Sequence, residues 1–376
     1  MPVHLGSPFR IAACVAALLA FTSGTRPVEF TSGTPPAGGS IERIAELGTP
    51  RSAHTTTALP GGRLLVAGGM GPGGGSLATA ELIDISSDRV APLGPMAHAR
   101  VGHTATPLGD GRAVLLGGYD GEYLASAEVF DPASGRFEAA GSLLEGRSGH
   151  TATVLPDGRL LVVGGVGRGW TFLASAEVFD PVTGRSELVE PLRRARESHT
   201  ATALDDGRVL VVGGHRGRRA EMEVHASAEI YEPTTGRFVS TGGLGTPRHK
   251  HDAVRLADGR VIIIAGADRT DRNHFETTEI YNPSDGTFSP GPSMASSRYK
   301  IRGTSVRLGN GDVLVPTGAR AAEVLDADSF TFRSVPGDFP TPYFFATATP
   351  VSGEQVVIVG GYDSRNRNTG GVWRYR

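Results

Sequence analysis

Short blocks of consecutive apolar residues recur along the chain at nearly even intervals, each closed by a pair of small residues. Leu64-Leu65-Val66, Leu160 to Val163 and Val261 to Ile264 are such blocks. The closing pairs are Gly68-Gly69, Gly117-Gly118, Gly164-Gly165, Gly213-Gly214, Ala265-Gly266, Thr317-Gly318 and Gly360-Gly361. Their second positions lie 49, 47, 49, 52, 52 and 43 residues apart. That period accommodates four short strands and their turns. Strand a is read at His103 to Leu108. A tight turn such as Gly109-Asp110-Gly111 or Asn310-Gly311 leads into the apolar strand b. Asp-Gly and Asn-Gly supply the positive φ angles of a hairpin turn. A strand apolar on both faces is expected to lie between two neighbouring sheets. Strand c is read at Ala127-Glu128-Val129-Phe130. The proline-initiated turn Asp131-Pro132 to Gly135-Arg136 follows, and strand d opens on an apolar residue such as Phe137, Phe238 or Phe288.

Together the diglycine, the Ala-Glu-Val/Ile-Phe/Tyr strand and the Asp-Pro-x-x-Gly-Arg turn resemble the kelch-repeat β-propeller family, over about residues 41–376. The resemblance implies an all-β, seven-bladed ring. The chain departs from the usual kelch pattern by using Phe where strand d often carries Trp. Unit six also replaces the second turn motif with Leu325-Asp326-Ala327-Asp328. The last unit ends after strand c, at Gly371 to Arg376, and Ile41 to Leu47 precede the first unit. The N-terminal segment is therefore expected to supply the missing strand d and close the last blade without an exposed edge.

Composition adjusts this picture only at the edges. With 53 glycines and 25 prolines the chain suits tight turns rather than helices. Its formal charge of -2 excludes a globally basic nucleic-acid binder. Arg10 followed by the eleven-residue apolar run Ile11 to Phe21 reads as an export signal over residues 1–24, too short to span a bilayer. Residues 25–40 read as a flexible lead-in. The expected destination is periplasmic, secreted or cell-surface, with no transmembrane segment. Ile11 to Cys14 resembles a lipoprotein box, but the apolar run follows Cys14 rather than preceding it, which disfavours a lipid anchor. Cys14 is the only cysteine, so a processed chain has neither disulfide nor thiol chemistry. A monomer is expected.

Three charged series run through the repeats. Arg51, Arg100, Arg147, Arg196 and Arg248 precede strand a, followed by Lys300 (or Arg298 after a shift) and then Tyr343. Three residues later stand His54, His103, His150, His199 and His251, then Gly303 and Ala346. Strand c carries Glu81, Glu128, Glu177, Glu229, Glu279 and Glu323, then Val372. A ring of metal-binding histidines or an acid–base array is one reading. However, residues common to every blade serve what every blade needs. The unit that loses Arg also loses Glu, so the two are expected to pair within a blade, because a lone buried charge is costly. No metal and no other cofactor is expected.

Function is sought where the units differ. The a–b and c–d turns on one face of the disc are short and uniform, whereas the b–c loops and d–a connectors on the other vary. The candidate ligand-binding residues on that face are Tyr119, Trp170, Arg216, Arg218, Arg272, His274, Tyr362, Arg365 and Arg367. Arginines beside aromatic rings suit sugars, carboxylated glycans or an acidic protein tail. The expected function is a non-catalytic, exported interaction module for a protein or glycan ligand. The alternative is a sugar-active enzyme of the sialic-acid mutarotase type, which needs only a pocket with acid and base groups. A third possibility is a purely structural surface or assembly protein. The resemblance also extends to galactose-oxidase-like copper enzymes. Those need a cysteine cross-linked to a tyrosine, which residues after Cys14 cannot provide.

Overall fold

The computed structural model describes residues 39–376. The export signal, Cys14 and the lead-in up to residue 38 lie outside the described residues. Seven four-stranded antiparallel sheets follow one another along the chain. The first blade comprises Thr55–Leu59, Arg63–Ala67, Ala80–Asp84 and Arg89–Pro92 as strands a to d. The last consists of Thr347–Ser352, Gln355–Val359 and Gly371–Tyr375, with Ile41–Glu46 as its strand d. Ile41 pairs with Tyr375 and Glu46 with Gly371, so the two chain ends close the ring as the repeat count required. Strands a of adjacent blades lie side by side around the axis.

The apolar residues of strand b are fully buried in every blade, Leu160 to Val163 and Val261 to Ile264 among them. Their side chains alternate between the two neighbouring blades. The result is seven separate hydrophobic clusters, one in each interblade space. Leu65, Ala67, Ala113, Leu115 and Phe130 fill the space between blades 1 and 2, for example. The space between blades 7 and 1 holds Leu64, Val66, Val357 and Val359.

The expected Arg–Glu pairs form in six blades. Arg51–Glu81, Arg100–Glu128, Arg147–Glu177, Arg196–Glu229, Arg248–Glu279 and Arg298–Glu323 lie 2.5–2.9 Å apart and are buried. Each guanidinium also donates to the carbonyl that ends strand b, as Arg147 does to Gly164 at 3.0 Å. Each glutamate accepts backbone N–H groups from the connector ahead, as Glu177 does from Leu144 at 2.6 Å. These bonds satisfy both buried charges. In blade 7, Tyr343 instead packs on Trp373 with ring centroids 4.8 Å apart. Blade 6 corrects the sequence register. Arg298, not Lys300, reaches Glu323 and the Thr317 carbonyl. The histidine position therefore falls on Ile301 rather than Gly303, since Ile301 is the residue against Gly318, where His54 meets Gly69.

The histidines join one blade to the next. Each Nε2 meets the threonine that opens strand a of the preceding blade: Thr55–His103, Thr104–His150, Thr151–His199, Thr200–His251 and Thr347–His54, at 3.0–3.2 Å. The ring also presses against the first glycine of the preceding diglycine. A Cβ on Gly68, Gly117, Gly164, Gly213 or Gly360 would lie 2.6–2.9 Å from the histidine Cε1. The two blades followed by one without histidine carry Ala265 and Thr317 at this position, ahead of Ile301 and Ala346. Glycine and histidine are lost together because each shapes the other's space. Ahead of Ile301 the threonine is also replaced. Asp252 takes its place and accepts the backbone N–H groups of Gly303, Thr304 and Ser305 at 2.6–2.9 Å.

Candidate functional site

Between the fixed Arg and the histidine position lie two residues per blade, and these line the mouth of the axis on the variable face. The second of the two has positive φ in all seven blades: Ala53, Gly102, Gly149, Ser198, Lys250, Lys300 and Phe345, at 50–71°. This left-handed turn points their backbones around the axis, where they form a belt of hydrogen bonds. Ala53 donates to Phe345, Gly102 to Ala53, Gly149 to Gly102, Lys250 to Ser198, Lys300 to Lys250 and Phe345 to Lys300. Between Ser198 and Gly149 the link is replaced. The Gly149 carbonyl accepts from Arg302 Nη1 at 2.9 Å, across the axis from blade 6.

In six of the seven blades the first residue of the dipeptide bridges the residue after the closing pair: Ser52 with Met70, Val101 with Tyr119, Ser148 with Val166, Glu197 with His215, His249 with Ala267 and Phe344 with Tyr362. Three side-chain clusters are assembled on this frame.

The first spans blades 2 to 4. Trp170 stands on a short turn, 46% exposed, with a positive φ of its own. The Arg218 guanidinium lies 3.8 Å from its ring centroid, a cation–π contact. Tyr119 and Tyr123 approach the same indole at 6.1 and 5.8 Å. Glu197 packs beside this group over Gly149. Burial pushes its carboxyl pKa up, against the opposing pull of Arg302, Lys250 and Arg218.

The second cluster joins blades 4 and 5. The Nδ1 atoms of His215 and His249 are 3.1 Å apart. His249 Nε2 meets Asp271 Oδ1 and the Asp268 carbonyl, each at 3.1 Å. Lys250 Nζ lies 2.5 Å from Asp271 Oδ2. Burial, then the charge of His249, hold the His215 pKa down at about 3. Burial opposes ionisation of Asp271, but His249 and Lys250 outweigh it and hold its carboxyl well below the usual range.

The third cluster covers blades 5 to 7. Lys300 Nζ is ringed by Tyr299, Tyr362, Phe345 and Phe344 at 4.7–5.9 Å from their centroids, and donates to Tyr362 Oη at 2.7 Å. His274 stacks on Tyr299 at 3.6 Å.

Of the candidates from the sequence, Tyr119, Trp170 and Arg218 meet in the first cluster, and His274 and Tyr362 in the third. Arg216 is tied to Glu223 at 2.7 Å, and Arg367 to Asp363 at 2.7 Å within its own loop. Arg272 and Arg365 stand exposed at loop tips, apart from these clusters. Sequence reading missed Tyr123, Glu197, His249, Tyr299 and Arg302, and placed Lys300 in the scaffold series. For Glu197, His249, Tyr299 and Lys300 the signal was available: a variable dipeptide held between a repeated Arg and the histidine position.

A closed ring of four-stranded blades with a uniform scaffold and one irregular axial face defines a β-propeller. Residues 146–193 match the Kelch motif family. With seven blades built on the same motif, the chain is a kelch-repeat β-propeller. Among curated proteins, none matches. Solved structures with this fold are numerous, 1148 matching chains, so likeness of shape alone selects no activity. One is a fungal alcohol oxidase of the AA5 family in complex with copper. It is 15% identical, with a TM-score of 0.71, over 90% of this chain and 76% of the other. At that identity the likeness shows the fold alone.

A copper centre of the cysteine–tyrosine type does not fit the residues present. The described residues contain no cysteine. Among them no group of three or more His, Cys, Asp or Glu side chains is placed to hold a metal ion. No described helix is long and apolar enough to cross a membrane.

Proposed function

We propose that this chain is an exported, monomeric binding module that takes a protein or glycan ligand on its variable face. The observation that carries this reading is the Trp170–Arg218 pair with Tyr119 and Tyr123. It joins an exposed aromatic surface and a guanidinium from three different blades, on a frame whose repeated charges are internally paired. Aromatic rings and arginine are the side chains that anchor ligands at such surfaces. Residues 1–24 direct export, and Cys14 carries no lipid. Binding of the purified chain to glycan and protein arrays tests the reading, with Trp170→Ala/Arg218→Ala as the comparison. A ligand retained in full by the double variant removes this site, and no saturable ligand on either array removes the function.

A second reading, a sugar-active enzyme of the mutarotase type, is favoured by one observation. Glu197 has a raised pKa and lies beside His215 and Arg302, which is the setting of a general acid. Proton NMR of anomerically pure sialic acids decides it. Acceleration over buffer that disappears in Glu197→Gln supports catalysis, and a rate equal to buffer ends it.

A further inference from the structure

The two imidazoles at the axial mouth meet through their Nδ1 atoms, within hydrogen-bond distance of one another. His249 Nε2 is 3.1 Å from both the Asp271 carboxylate and the Asp268 carbonyl, which can only accept, so that nitrogen carries the hydrogen. A neutral His249 then presents a bare lone pair at Nδ1. His215 Nε2 lies 3.7 Å from the Glu197 carboxyl, beyond hydrogen-bond reach, so in the metal-free site the His215 hydrogen can sit on Nδ1 and be donated to His249 Nδ1. The two Nδ1 atoms are 3.1 Å apart, both rings are at least nine-tenths buried, and the ring planes are inclined by 76°. Two rings pointing head-on through a 3.1 Å contact would hold their centroids farther apart than the 4.7 Å found. The nitrogens therefore approach at an angle rather than along one line.

We propose that His215 and His249 form a two-histidine site for a borderline divalent cation such as Zn2+, bound through both Nδ1 atoms. Two nitrogens about 2.0–2.1 Å from one zinc ion are separated by roughly 2.9–3.4 Å for cis or tetrahedral angles, which brackets the observed spacing. Imidazole is the ligand type this class of ion prefers. The outer nitrogen of His249 is already oriented by the Asp268 carbonyl and the Asp271 carboxylate, the arrangement that fixes the tautomer of metal-bound histidines. With two protein donors the remaining positions belong to water or to an oxygen of the ligand. The ion would thus couple the variable face to anionic or hydroxyl-bearing partners. Any proton shared between the two Nδ1 atoms passes to solvent on binding.

The test is isothermal titration of Zn2+ alone into chelator-treated full-length protein, repeated with Co2+ to read its visible absorption. One equivalent is expected to bind. His215→Ala and His249→Ala should each weaken it at least tenfold, and Asp271→Asn by about 10–100-fold. His98→Ala should leave it unchanged. Because His249 is wholly buried, His215→Gln, which keeps most of the volume, serves if the alanine variants fail to fold. Absence of saturable uptake, or uptake equal in wild type and His215→Gln, overturns the site.

Discussion

Arg302 Nη1 donates to the Gly149 carbonyl at 2.9 Å, so a side chain from blade 6 stands in for a backbone link at blade 3. The belt of left-handed residues around the axis is thus completed by a guanidinium lying close to Glu197 and Asp252. Arg302→Ala and Arg302→Met should both destabilise the ring by about 1–3 kcal/mol, since each leaves the carbonyl without its donor. Urea unfolding measures this. An unchanged midpoint for both variants would show that the belt does not depend on Arg302.

The buried Arg147–Glu177 pair permits a sharper energetic test. Removing either partner strands the other charge, at a cost of about 3–5 kcal/mol. Replacing both by apolar residues, as blade 7 does with Tyr343 and Val372, should cost less than either single change. A double-mutant cycle with Arg147→Met and Glu177→Val reads the coupling. Additive costs would contradict it.

Gly213 lies under His251 of the next blade, where a Cβ would be 2.7 Å from the ring. Gly213→Ala should therefore destabilise by roughly 1–3 kcal/mol. Adding His251→Ile reproduces the natural Ala265–Ile301 combination and should recover part of that loss. Thermal unfolding of the single and double variants decides it, and a double variant worse than the sum of its parts would refute the coupling.

The interblade histidines predict how the fold responds to acid. Burial, and then the neighbouring arginine, push down the pKa values of His54, His103, His150, His199 and His251, to about 3 for His54. The unfolded chain, with histidine near 6.5, takes up protons that the folded chain refuses. Stability is therefore complete above about pH 6.5. Below it, stability falls by about 1.4 kcal/mol per pH unit for each such histidine until the folded pKa is reached. Urea unfolding at pH 7 and 5.5 should show this drop. His103→Asn should reduce the slope by one histidine's share, and an equal slope in wild type and variant would count against it.

Much of this architecture was legible because the chain contains seven versions of one unit. Internal comparison of the repeats was enough to count the blades, close the ring with Ile41–Glu46, pair Arg with Glu and anticipate blade 7 as the exception. These features depend on contacts within a blade, where period and pattern fix the geometry. Contacts between blades were less visible. The tie between Gly213 and His251, or Ala265 and Ile301, lies across units, and two residues of offset in blade 6 hid it by suggesting Lys300 for Arg298. The axial site was the least legible part. Glu197, His215, His249, Asp271 and Arg302 come from three blades and up to 105 residues of chain. Only closure of the ring brings such residues to one point, because position around an axis depends on the summed rotation of all the blades. The sequence by itself determined the scaffold, through local repetition. The tertiary structure alone decided which of the variable side chains meet, through the geometry of the closed ring.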